Sequence, residues 1–99
     1  EGFDVVVSRG VAPLRVLAEL TLPFCRLGGR AILQKKGDIL QELVQAARAL
    51  NELGGRLLKL EPVPSEVLGG QRVLVVVEKV APAPARYPRR AGIPAKRPL

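Results

Sequence analysis

The stretch Phe3–Leu14, FDVVVSRGVAPL, decides the fold. Val5-Val6-Val7 is a continuous apolar run that stops at Ser8-Arg9-Gly10, and after Pro13 apolar residues recur at helical spacing. This pattern predicts a strand, a loop at its carboxyl end, and a helix. A strand that is apolar throughout, with no alternation, is expected to be covered on both faces, as in a parallel sheet. In open α/β sheets, ligands bind outside the carboxyl ends of the strands. Arg9 therefore falls where a ligand would sit.

The segments that follow repeat the theme. Pro13 suits a first helical turn, and Leu14, Leu17, Ala18, Leu20 and Leu22 form an apolar face that Pro23 interrupts. The helix should stop near Leu22, with a turn of extension through Arg26, and Leu27-Gly28-Gly29 should turn the chain. Arg30 to Lys35 reads as a second strand. Asp38 is a natural N-cap for a helix from Ile39 to Leu53. Its apolar face is Leu40, Leu43, Val44, Ala47, Leu50 and Leu53, and Gly54-Gly55 ends it. Arg56 to Val63 reads as a third strand, Leu68 to Gln71 as a turn, and Arg72 to Val80 as a fourth strand. No helix fits between these last two, so they should pair antiparallel. The first three strands, joined by helical crossovers, should run parallel.

Composition narrows the function. The 99 residues suffice for one domain or part of one, and the sequence has no His and a single Cys. A Ser–His–Asp or Cys–His arrangement is thereby excluded, and a transition-metal site is not expected. Cys25, among Leu22, Phe24 and Leu27, should be a buried, reduced thiol of an intracellular protein. No apolar segment approaches the roughly 20 residues that span a bilayer. The start, Glu1-Gly2-Phe3-Asp4, has neither an initiator Met nor the pattern of a signal peptide, and reads as a fragment cut from a longer protein or a gene prediction missing its beginning.

The net charge of +7 is unevenly placed, because residues 81–99 carry Arg86, Arg89, Arg90, Lys96 and Arg97 with no acid. Five of the nine prolines also lie there, which predicts an extended, polyproline-like basic tail. Phosphates reward clustered Lys and Arg through counterion release, so a nucleic acid is the expected partner. Tyr87 could stack on a base.

Several stretches together resemble the bacterial 16S rRNA guanine-N7 methyltransferases, the family also called glucose-inhibited division protein B. They are FDVVVSRGVAPL, LGGRAILQKKG, LGGQRVLVVVEKV and the tail YPRRAGIPAKRPL, in family order across nearly the whole chain. The tail motif Tyr-Pro-Arg-Arg-x-Gly-x-Pro is the most specific of them. The resemblance implies an α/β fold, the C-terminal half of a Rossmann-like class I methyltransferase sheet. Residues 1–80 would be a partial S-adenosylmethionine-dependent methyltransferase domain and residues 81–99 a Pro-rich basic tail.

It also implies methyl transfer from S-adenosylmethionine to N7 of a guanine in 16S ribosomal RNA, by a cytoplasmic protein, monomeric at full length, acting on the RNA or the small ribosomal subunit without a membrane. Arg9 falls on a cofactor-binding Arg of the family. Lys36 falls on a basic residue ending the next strand, and Arg72 on the Arg before the last strand. Gly10 stands where the family more often has Ala, and the doubled Lys35-Lys36 leaves open which of the two faces the site.

The RNA-binding candidates are Lys35, Lys36, Arg72, Arg86, Tyr87, Arg89, Arg90, Lys96 and Arg97. No catalytic acid or base is nominated, because N7 of guanine already carries a nucleophilic lone pair and positioning and electrostatics could carry the reaction. The Gly-rich loop and acidic strand end that hold most of the cofactor in this fold do not occur in the sequence, so the chain by itself is expected to be inactive. The alternative is a non-enzymatic RNA-binding or ribosome-associated α/β module with a basic arm.

Overall fold

The protein was analysed as a computed structural model, which describes residues 2–9, 12–36, 39–63 and 72–99. Strand β1 (Phe3–Arg9) leads to helix α1 (Leu14–Thr21), a 3-10 turn (Leu22–Phe24) and strand β2 (Cys25–Lys36). Helix α2 (Leu40–Glu52), strands β3 (Gly55–Val63) and β4 (Arg72–Lys79) and a short helix α3 (Ile93–Lys96) complete it. The sheet order is β1-β2-β4-β3. β1 and β2 are parallel, while β4 runs antiparallel to both β2 and β3. The hairpin thus inserts its second strand into the sheet instead of adding it at the edge. The valine-rich β4 suits that central place: Val75 and Val77 are fully buried.

Both main helices pack on one face of the sheet. Leu14, Leu17, Ala18 and Leu22 of the first helical segment meet Ala31, Leu33, Val75 and Val77 of the sheet and Ala46, Leu50 and Leu53 from α2 and its end. This corrects the expectation for the first strand. Only Val6 packs against the core, while Val5 and Val7 are exposed on the opposite face, which no described element covers. It also corrects the face assigned to α2. Ala46, Ala49 and Leu50 are buried, but Leu40 and Val44 are exposed, because the helix lies over the sheet on a narrower stripe than its apolar spacing allows.

Pro23 acts as expected, ending α1 at Thr21 and leaving one 3-10 turn. The turn expected at Leu27-Gly28-Gly29 is a bulge within β2. Phe3 pairs with Cys25 and Val5 with Arg30, so β2 gains extra residues there, and Gly28 takes φ +83. The N-cap of α2 is Ile39, and the expected cap Asp38 lies outside the described residues, as do the turn 68–71 and Gly10. Gly54, at φ +80, closes α2 and accepts backbone hydrogen bonds from Val80 (2.8 Å) and Ala81 (3.2 Å). That contact fastens the helix end to the chain leaving β4.

The largest correction concerns the tail. It is folded onto the helices, with Tyr87 and Pro94 buried and α3 packed against α1. Proline and charge gave it no internal period, but its anchors are contacts with distant residues.

Candidate functional site

The carboxyl edge of the parallel strands gathers three of the cations singled out from the sequence. Arg9 ends β1, Lys36 ends β2, and Arg72 begins the antiparallel β4 and so lies at the same edge. Register aligns them: Arg9 pairs with Gln34, Lys36 with Arg72, and Arg72 with Val63. Register partners share a face of the sheet, so Arg9, Gln34, Lys36 and Arg72 all lie on the face that the helices leave uncovered. Arg9 and Lys36 are exposed. Arg72 is half-buried, and its Nε is buried without a partner among the described residues.

Alternation separates the two lysines. Lys35 points the other way and is 5% exposed. Its Nζ donates to the Ala12 carbonyl at 2.6 Å and lies 3.1 Å from Glu42 Oε1, which also accepts from Leu14 N at 2.9 Å. Lys35 therefore ties β2 to the start of α1 and to α2, beneath the edge and not on it. Lys36 is the outward-facing member of the pair.

The edge offers cations, and among the described residues the one carboxylate on this face beside it is Glu61, which pairs with Lys59 at 3.3 Å. Such a set fits a carboxylate or a phosphate. Among the described residues, no group of His, Cys, Asp and Glu could hold a metal ion, and no helix is long and apolar enough to cross a membrane.

The tail residues divide into two sets. Arg89 donates through its backbone N (2.8 Å), Nε (2.9 Å) and an Nη (2.7 Å) to the Glu19 carboxylate, and that same Nη donates to the Arg97 carbonyl at 2.6 Å. Glu19 is fully buried, and the Arg89 hydrogen bonds hold its carboxyl below the usual range despite the opposing effect of burial. The Tyr87 hydroxyl and Arg86 (2.6 Å) both donate to Glu52, whose carboxyl they likewise lower, and the Arg86 guanidinium lies 4.8 Å from the Tyr87 ring centre. Tyr87 and Arg89 thus face the body of the protein, while Arg86 is exposed and held to the body through Glu52. Arg90, Lys96 and Arg97 are exposed.

Sequence reasoning did not foresee Glu19 and Glu52 as anchors. Glu19 was detectable as a lone acid in the run Leu17-Ala18-Glu19-Leu20, because a carboxylate buried beside Leu17 and Ala18 needs a cationic partner. At the opposite end of the sheet, Lys79 is buried and donates to the Leu22 (2.8 Å) and Cys25 (3.1 Å) carbonyls. Burial lowers its pKa and raises that of the neighbouring Cys25 thiol.

Comparison with known proteins gives the arrangement a context. No family model matches the chain. A protein named ribosomal RNA small subunit methyltransferase G from Dehalococcoides mccartyi is 54% identical over 97 residues, which is 98% of this chain and 41% of that protein. The proteins of the same name from Roseiflexus castenholzii and Deinococcus radiodurans are 51% and 47% identical, across 100% and 98% of this chain and 42% and 38% of theirs. The match falls in their C-terminal part. The chain therefore spans about two fifths of the length of these relatives. Among solved structures, the crystal structure of an M1.HpyAVI–SAM complex is similar in fold, with TM-score 0.56 at 12% identity, covering 82% of this chain and 45% of that one. The mixed sheet is accordingly that of the C-terminal half of a Rossmann-like methyltransferase fold.

Proposed function

We propose, on the premise that this chain corresponds to the C-terminal part of a ribosomal RNA small subunit methyltransferase G, that it completes the active site of an S-adenosylmethionine-dependent rRNA methyltransferase. The observation that carries this reading is the 54% identity across 98% of the chain. The reaction is methyl transfer to N7 of a guanine in 16S rRNA. The N7 lone pair attacks the sulfonium methyl, the C–S bond breaks, and no proton has to be removed beforehand.

Within that reading the cationic edge has a division of labour. Arg9 closes one side of the methyl-donor pocket, and its guanidinium suits the methionine carboxylate by a two-pronged hydrogen bond. Lys36 and Arg72, paired in register at the same edge, suit phosphates of the RNA brought to the pocket. S-adenosylmethionine supplies the electrophilic methyl group when bound. The remaining contacts to it come from the three fifths of the protein outside this chain. That portion also covers the exposed Val5 and Val7 and pairs with the open edge of β1. The protein works as a cytoplasmic monomer.

The test is Arg9→Ala in the whole protein. The KM for S-adenosylmethionine is expected to rise at least tenfold, as for a lost charged hydrogen bond of about 1.5–3 kcal/mol. An unchanged KM would remove Arg9 from the pocket.

A further inference from the structure

We propose that residues 89–97 form a preassembled cationic loop that grips rRNA phosphates, with Arg89 as its fastener and Arg90, Lys96 and Arg97 as its contacts. This rests on the reading of the protein as an rRNA enzyme and adds to it a second RNA-binding surface, carried on the helical face by α1 and apart from the edge that holds Arg9.

Neutralisation separates the tail's five basic residues. Residues 81–99 contain no acid, so each tail cation that is compensated must find its acid in the body. Glu52 takes Arg86 and Glu19 takes Arg89. Among the described residues, the side chains of Arg90, Lys96 and Arg97 have no ion-pair or hydrogen-bond partner. Three uncompensated positive charges therefore sit within residues 90–97, all exposed.

The loop is also built. Ile93 N donates to the Arg90 carbonyl (3.0 Å), Lys96 N to Gly92 (3.1 Å) and Arg97 N to Ile93 (2.8 Å). Gly92 turns the chain at φ +90 and Pro94 is buried beneath it. Arg89 joins the two ends, because one guanidinium grips both Glu19 and the Arg97 carbonyl. Cations on a loop already ordered give up little conformational entropy on binding. A cluster of cations without interleaved acids fits a phosphate backbone, whose binding is driven by counterion release.

The test measures binding of the whole protein to a 16S rRNA fragment by fluorescence anisotropy between 50 and 200 mM KCl, for wild type and the triple variant Arg90→Ala, Lys96→Ala, Arg97→Ala. These side chains are exposed, and the Arg97 carbonyl used by Arg89 survives the substitution, so folding should be kept. Each lost phosphate contact should lower the slope of log affinity against log salt by about 0.7–0.9, or roughly 2–3 for three contacts. Over that fourfold rise in salt, wild type should lose roughly 20- to 40-fold more affinity than the variant. The charge-keeping variant Arg90→Lys, Arg97→Lys should retain the wild-type slope.

An unchanged slope in the triple variant would overturn the proposal. So would a loss in the lysine variant as large as in the triple variant, or competition by polyglutamate as effective as competition by rRNA. If wild type methylates rRNA while the triple variant keeps its slope, only the loop proposal fails. If wild type transfers no methyl group but the slope still falls, the enzymatic reading fails and the loop stands.

Discussion

Replacing Arg89 by alanine removes the guanidinium that satisfies a fully buried carboxylate and leaves only the backbone N–H of residue 89, at 2.8 Å, on Glu19 Oε2. Breaking a buried ion pair by deleting one partner costs about 3–5 kcal/mol. Here the lower end applies, because the Arg89 side chain is 25% exposed and one hydrogen bond persists. We expect a loss of about 3 kcal/mol at pH 7, read in the whole protein as a lower urea midpoint at unchanged m, or as a fall in Tm of roughly 6–12 °C.

The loss should depend on pH. The folded-state pKa of Glu19 is depressed, chiefly by the Arg89 side-chain hydrogen bonds. The stability this confers is present above the unfolded value near 4.3 and lost as pH falls through the folded value. The difference between wild type and Arg89→Ala should therefore be full at pH 7 and shrink below about pH 4. In a double-mutant cycle with Glu19→Ala, most of the loss should appear as coupling. A loss under 1 kcal/mol at pH 7, or a gap that does not change down to about pH 3, would refute the account of the tail as a fastened segment.

The other predictions follow from single contacts. Gly54→Ala places a Cβ 1.9 Å from the Ala81 carbonyl oxygen at a φ of +80. It should cost more than the roughly 1–2 kcal/mol of the backbone conformation alone, and a shift under 1 kcal/mol in urea unfolding would show that the chain after β4 gives way. Cys25 is buried, and burial raises its thiol pKa, so alkylation by iodoacetamide should be slow in native protein and rapid in urea. Equal rates in the two conditions would contradict the packing described.

How much was legible depended on the range of the interactions. The helical period of α2, the break at Pro23 and the antiparallel pairing of the last two strands are local signals, and the fold follows them. The insertion of β4 between β2 and β3 is a long-range choice that no local pattern encodes. The run Val5-Val6-Val7 suggested burial on both faces, yet the described helices cover only one. Apolar spacing marks the surfaces a chain can bury, and it does not say which segment buries them.

At the edge, Arg9 was singled out by its place after an apolar strand, whereas Lys36 and Arg72 were singled out by the family resemblance. Strand alternation required Lys35 and Lys36 to part, but only the Ala12 carbonyl and Glu42 show that Lys35 is the inward one. The tail was misread as an extended arm because its order comes from residues as far as 70 positions away in sequence. Proline-rich, period-free sequence looks alike whether or not such anchors exist.

The most direct measurement gives the whole protein S-adenosylmethionine labelled in its methyl group, together with unmodified small-subunit rRNA, and identifies the labelled nucleoside by mass spectrometry. The account predicts label in 7-methylguanosine at a single position, strongly diminished in Arg9→Ala. Label in another nucleoside, no label at all, or undiminished transfer by Arg9→Ala would contradict it.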